Sequence, residues 1–304
     1  MAQKLFAERL RRTVSKYGPL CVGIDPTFDK LPKELKEKAK TPTEEAAAIG
    51  IFTDSVIEAV KGVAGVLKFQ VAYFERYGAA GFVELESAVK RAKNDGFMVI
   101  ADGKRGDIGS TMKAYAKYYM DVLDADAVTL NPYMGKDVIE PFLPYVDKGK
   151  GAFLLARTSN PAAAETQDVS ASAGHAYYIY LTDRIASWQE KIEKDKAGYL
   201  PFGIVVGATV PEEIKKLRAK HPELLMLIPG FGFQGGTADD AAPAFDAQGN
   251  GAVVNSSRSV ICAFQQEGGE TAEAKEDPAW QGAIRDAAKT AQGALKEAIA
   301  RRKR

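Results

Sequence analysis

The sequence predicts an α/β protein folded as one (β/α)8 (TIM) barrel, and three observations predict it. Eight short apolar runs recur along the chain, helical segments lie between them, and 304 residues is a length that holds eight such units. The runs are continuously apolar, as strands buried on both faces of a parallel sheet must be. A doubly wound open sheet is the alternative. No GxGxxG turn follows the first run, however, and Gly23-Ile24-Asp25-Pro26 is too short for a dinucleotide fingerprint.

Taken in order, residues 1–17 place Leu5, Phe6, Leu10 and Val14 among charged residues, which suits an amphipathic helix and not a secretory h-region. Glu8 interrupts the basic pattern that a transit peptide would need. Strands are expected at 20–24 (LCVGI, before Asp25-Pro26), 65–69 (GVLKF), 97–101 (FMVIA, after Asp95-Gly96) and 127–130 (AVTL, before Asn131-Pro132). The second half repeats the count at 152–156 (AFLLA), 202–206 (FGIVV, after Pro201), 224–228 (LLMLI, before Pro229-Gly230) and 252–255 (AVVN). Helices are expected at 43–60, 82–94, 110–123, 136–145, 173–194, 211–220, 238–245 and from 277 to about 300. Two connections exceed the usual two to six residues, 158–171 and about 264–276, and read as insertions in a single domain spanning 1–304.

Hydrophobic residues make up 46% of the chain and charged residues 27%, the composition of an ordinary soluble protein. A formal net charge of +1 gives no electrostatic reason to expect nucleic acid or a membrane surface as partner, and the basic end Arg301-Arg302-Lys303-Arg304 reads as solvated. No apolar run approaches the ~20 residues that span a bilayer. Cys21 and Cys262 lack the spacing of a disulfide framework or zinc site and read as reduced, buried thiols of a cytoplasmic protein. His175 and His221 fall in or beside expected helices, so neither a histidine triad nor a histidine-rich metal site is expected.

In such a barrel the C-terminal strand ends face the active-site mouth. The first strand delivers Asp25, the second Lys68, and the third Asp102 and Lys104, which share a face because side chains alternate; Asp107 follows. Charges of both signs there can form one network. At an effective dielectric near 20 a contact at 4 Å is worth about 4 kcal/mol before desolvation is subtracted. It would orient Lys104 as an ammonium able to donate a proton and stabilise a carbanion, but unable to form a Schiff base until deprotonated. A structural ion pair closing the barrel rim is the competing explanation. After the seventh strand comes PGFGFQGGT and after the eighth NSSRS; glycine N–H groups, a helix start and Arg258 together suit an anion such as phosphate, with a tight turn and a surface arginine as the alternative. Thr158-Ser159-Asn160-Pro161 could bond the polar edge of a ring or simply cap a turn.

These residues resemble the orotidine 5′-phosphate decarboxylase family, in particular its longer bacterial-type branch. The Asp-x-Lys-x-x-Asp hallmark is matched by Asp102, Lys104 and Asp107 within ADGKRGDIGST, and LCVGIDP, LKFQVAYFERYG, TLNPYMG, ARTSNPAA, VVGAT, PGFGFQGG and NSSRSVI follow the branch in order over nearly the whole chain. Gly103 departs from the alanine commoner in this branch, at a position whose side chain should point away from the site. The resemblance implies decarboxylation of orotidine 5′-monophosphate to uridine 5′-monophosphate, without metal or organic cofactor, in a cytoplasmic homodimer with shared sites. It implies that Lys104 protonates carbon 6 with Asp102 near the leaving carboxylate, and that Lys68 and Asp25 bind ribose. It further implies that Asp107 and Thr111 reach the neighbouring subunit's site, that Ser159 contacts the pyrimidine, and that Gln234, Gly235 and Arg258 hold the phosphate. A magnesium-dependent sugar-phosphate lyase, a Schiff-base aldolase and a non-catalytic phosphate binder remain the rival readings of the same residues.

Overall fold

Each of eight parallel strands is hydrogen-bonded to its sequence neighbours, and the last pairs with the first, closing the barrel. This computed structural model describes residues 4–171, 174–265 and 279–302. The strands are β1 (Leu20–Ile24), β2 (Val66–Gln70), β3 (Met98–Arg105), β4 (Ala127–Leu130), β5 (Gly151–Arg157), β6 (Phe202–Val206), β7 (Met226–Ile228) and β8 (Ala252–Ser256). Every expected strand is present. The largest difference is in β3, which runs on through Asp102 and Lys104 to Arg105 with a register shift against β4 between Ala101 and Arg105.

Several helices depart from expectation, two of them at prolines. Helix Pro42–Val60 opens on a capping box in which Thr41 and Glu44 exchange side-chain and backbone bonds, and helix Pro211–Lys220 has the expected bounds. Helix Gly78–Asn94 starts before residue 82, and helix Gly109–Lys117 passes into a π turn over Tyr118–Val122. The helix expected at 136–145 is instead two 3-10 segments, Pro132–Val138 and Glu140–Tyr145. Pro141 and Pro144 supply no N–H and bias the preceding residue away from the α region. Pro243 likewise limits 238–245 to helix Ala238–Ala241 and a 3-10 turn over Ala242–Ala244. The expected 173–194 helix is the shorter Tyr177–Ser187, and the last helix is Ala279–Arg302. Residues 277 and 278, and most of the 264–276 insertion, lie outside the described residues. The 158–171 insertion holds a 3-10 turn, Pro161–Ala163, and one short helix, Ala164–Gln167. Both cysteines are free thiols; Cys21 is buried as expected, but Cys262 is only half-buried. No helix among the described residues is long and apolar enough to cross a membrane.

Helix Phe6–Tyr17 closes the barrel at the end opposite the strand C-termini. Its Phe6, Leu10 and Val14 join Cys21, Val66, Met98, Ile100 and Phe153 in a buried inner cluster, with Phe6 edge-on to Phe153 at 6.0 Å between ring centres. Asp126, buried at the same end, accepts from Arg9 at 2.5 Å, Lys93 at 2.8 Å and the Val99 N–H at 2.8 Å, so its charge is compensated. Outward-facing strand residues pack against the helices in a second, larger cluster. Because the plug and the strand C-termini are at opposite ends, Phe6→Ala should lower stability by about 3–5 kcal/mol in urea unfolding while leaving ligand affinity at the far end unchanged at room temperature.

Candidate active site

A cavity of about 470 Å³ opens at the C-terminal strand ends, and Asp25, Lys68, Asp102, Lys104, Ser159, Gln234 and Arg258 all line it. At its floor, Asp102 Oδ2 accepts from Lys68 Nζ at 2.7 Å and Gln70 Nε2 at 3.2 Å. Its Oδ1 accepts from Lys104 Nζ at 2.6 Å and the Thr129 hydroxyl at 2.8 Å. Four donors thus fill the carboxylate's four acceptor positions, an arrangement that only the ionised form satisfies. Burial by itself would raise the Asp102 pKa. The Lys68 and Lys104 ammonium groups overcome it and hold the carboxyl well below the usual range. For Lys68 burial opposes the charge, and Asp102 and Asp25 more than offset it, raising its pKa. Lys68 is 3% exposed, whereas the Lys104 side chain is 45% exposed, so both line the cavity but Lys104 is the more open of the two ammonium groups.

Lys104 is held in a strained conformation. Its φ of +46° lies in the left-handed region, which costs a side-chain-bearing residue about 1–3 kcal/mol unless the surroundings impose it. Here the Lys104 N–H donates to Thr129 Oγ1 at 2.9 Å, so one hydroxyl on β4 fixes both the Lys104 backbone and the carboxylate that grips its side chain. Gly103 faces outward. A Cβ there would overlap the Tyr119 hydroxyl, which accepts from Arg105 Nε at 2.9 Å, while Arg105 also pairs with Glu75. The glycine that departs from the family pattern is therefore matched by a tyrosine occupying the room.

Across the barrel, the Arg258 guanidinium lies 3.7 Å from the centre of the Phe233 ring, at the mouth of the cavity beside Gln234. The glycine-rich loop is less open to an anion than its sequence implies. Gly232, Gly235 and Gly236 donate their N–H groups to carbonyls within the loop, and Thr237 caps the short helix that follows. Gly235 does not line the cavity, whose donors on this side include the Arg258 and Gln234 side chains. Asp25 and Asn255 each present a buried side-chain oxygen without a hydrogen-bond partner. Burial pushes the Cys21 thiol up to about 12, so it is neutral near pH 7.

Asp107 and Thr111 do not line this cavity. Asp107 follows β3 and accepts from the Ile108 N–H at 2.7 Å, and Thr111 is exposed on helix Gly109–Lys117. Sequence reasoning missed Thr129, Gln70 and Gln167. Thr129 could have been found as the one polar residue in AVTL, and Gln70 as the residue two beyond Lys68 on the same strand face. His221 bonds Asp183 at 2.8 Å and does not line the cavity, and among the described residues no three His, Cys, Asp or Glu side chains group as a metal site would.

Residues 18–273, from just before β1 to past β8, match the sequence model of the orotidine 5′-phosphate decarboxylase / HUMPS family. The chain belongs to that family. It is 41% identical over 293 residues to the orotidine 5′-phosphate decarboxylase of Rhodopirellula baltica, covering 93% of this chain and 96% of that one. Among solved structures it resembles a putative orotidine-monophosphate decarboxylase of Toxoplasma gondii, with a TM-score of 0.82, 27% identity and coverage of 100% and 99%. It also resembles the UMP synthase of Leishmania donovani, with a TM-score of 0.77 and 31% identity, covering 98% of this chain and 57% of that longer one.

Removing the Asp102 charge should show what it holds. Asp102→Asn removes the carboxylate that pairs with both ammonium groups and should cost about 3–5 kcal/mol in chemical unfolding. The depressed Asp102 pKa makes the wild type's advantage full above about pH 4 and lost as pH falls through the lower folded-state value. On the alkaline side the raised Lys68 pKa keeps its contribution full below about pH 10, to be lost as pH rises through the folded-state value.

Proposed function

We propose that this chain is a carboxy-lyase that converts orotidine 5′-monophosphate to uridine 5′-monophosphate in de novo pyrimidine synthesis, with Lys104 protonating carbon 6. The observation that carries this reading is the Lys68–Asp102–Lys104 array, buried at Lys68, open to the cavity at Lys104, and facing Gln234 and Arg258 across the barrel. Loss of CO2 from an sp2 ring carbon breaks the C6–carboxylate bond and leaves the electron pair on carbon 6 with poor resonance relief. A fixed ammonium beside that carbon stabilises the charge and then gives up a proton to it, and the resulting amine regains a proton from water. The exchange needs neither an oxidant nor a reductant. Asp102, its acceptor positions filled by protein donors, aims Lys104 and presents negative charge toward the leaving carboxylate.

The remaining contacts follow the shape of a nucleotide. Arg258 and Gln234 take the 5′-phosphate, and this remote grip supplies binding energy for ordering the loops over the ring. Asp25 and Lys68 take the ribose, whose hydroxyls are the donors that the unpartnered Asp25 oxygen lacks. Ser159 reads the pyrimidine edge. Asp107 and Thr111 serve the site of a second subunit in a cytoplasmic homodimer, each chain a single barrel domain. Exposed Ile108, Tyr133 and Met134, beyond the ends of β3 and β4, support an interface beside them. A Schiff-base reading fits less well, because both cavity lysines are ion-paired to Asp102.

Following the pyrimidine absorbance should show turnover of orotidine 5′-monophosphate by the wild type and a loss of about 10³-fold or more in Lys104→Ala. Turnover should survive EDTA; loss on chelation, or borohydride trapping of substrate on a lysine, would favour a rival chemistry. Mixing inactive Lys104→Ala and Asp107→Ala chains should restore about a quarter of wild-type activity, since half the dimers are hybrids with one intact site; no recovery would contradict shared sites.

A further inference from the structure

The insertion at 158–171 folds back on the strand that precedes it. Gln167 lines the cavity, and its carboxamide is committed to one residue: Oε1 accepts from the Thr158 N–H at 2.8 Å and Nε2 donates to Thr158 Oγ1 at 2.8 Å. The Thr158 hydroxyl in turn donates to Asn160 Oδ1 at 2.6 Å. The Thr158 carbonyl accepts from Arg157 Nη1 at 2.8 Å, and the rest of that guanidinium grips Asp168 in two parallel bonds of 2.8 and 2.9 Å. Both peptide groups flanking Thr158 are therefore held, one by Gln167 and the other by Arg157, and the adjacent Gln167 and Asp168 tie the far end of the insertion to its start.

Ser159, the next residue, sits close over two glycines. A Cβ on Gly207, beyond β6, would lie 2.7 Å from Ser159 Cα, and one on Gly230, in the loop after β7, would lie 3.3 Å from Ser159 Cβ. Ser159 thus meets the segments after β6 and β7, and its backbone continues directly from the strapped Thr158. We infer that Gln167 is a positioning residue that sets how this site reads the pyrimidine ring, by pinning Thr158 so that Ser159 meets the ring's polar edge. This rests on the decarboxylase reading above. Gln167 does not touch the reacting atoms. A hydrogen-bonding group displaced by an ångström loses much of its discrimination, and the loss falls on the base half of the ligand and not on its phosphate.

The test compares two ligands, uridine 5′-monophosphate and ribose 5-phosphate, which share the phosphate but not the base. Gln167→Leu keeps the bulk of the side chain and removes both bonds. Binding of uridine 5′-monophosphate should weaken by about 10-fold or more, with KM for orotidine 5′-monophosphate rising more than kcat falls, while ribose 5-phosphate affinity stays within about twofold. Gln167→Glu, which restores an acceptor for the Thr158 N–H, should recover part of the loss. Unchanged nucleotide binding in Gln167→Leu, or equal weakening of both ligands, would overturn the inference. A wild type that binds ribose 5-phosphate but neither binds uridine 5′-monophosphate nor turns over orotidine 5′-monophosphate would overturn the decarboxylase reading, and the inference with it.

Discussion

One carboxylate between two ammonium groups organises this molecule. Asp102 is 6% exposed, and a charge so placed is tolerable only because Lys68, Lys104, Gln70 and Thr129 satisfy every acceptor position it has. The same arrangement fixes the two lysines differently. Lys68 lies buried in the cavity floor and Lys104 stands more open above it, so one carboxylate creates both a buried anchor and a presented ammonium.

The barrel makes that arrangement affordable. Parallel strands bring β2, β3 and β4 side by side with their C-terminal ends level, so that residues distant in sequence meet without long loops. The helix at the opposite end keeps water out of the inner core, and its own buried charge, Asp126, is compensated by separate partners. Around the cavity, local strain gathers at the end of β3. There the register slips against β4, Lys104 turns left-handed, and Tyr119 occupies the space outside Gly103.

Much of this was legible in the sequence. Eight apolar runs located eight strands because a buried parallel strand cannot carry a polar face, and the charged residues at their ends stood out against that background. The cavity gathers Asp25, Lys68, Asp102, Lys104, Ser159, Gln234 and Arg258 because period-two alternation and a common strand direction leave few other places for them. What periodicity could not reveal was which neighbours complete the network. Thr129 is an unremarkable strand residue until its hydroxyl is seen to bridge Lys104 and Asp102, and Gln167 sits in a polar insertion with no repeating pattern. Proline explains the misreading of 136–145, which has a helix-like spacing of apolar residues but whose prolines withhold the N–H groups an α-helix requires. The glycine loop misled in another way. The Gly232, Gly235 and Gly236 N–H groups looked available from composition and are spent on the loop's own turns.

The central claim is that Asp102 holds Lys104 where it can exchange a proton with carbon 6. Because protonation and its reverse share a transition state, that exchange is visible without any decarboxylation. Uridine 5′-monophosphate incubated with the protein in D2O, with the carbon 6 proton followed by NMR, measures it directly. The expected result is exchange well above background for the wild type and at background for Asp102→Asn, at ligand concentrations that saturate both. Wild-type exchange no faster than background, or equal exchange in the two proteins, would contradict it.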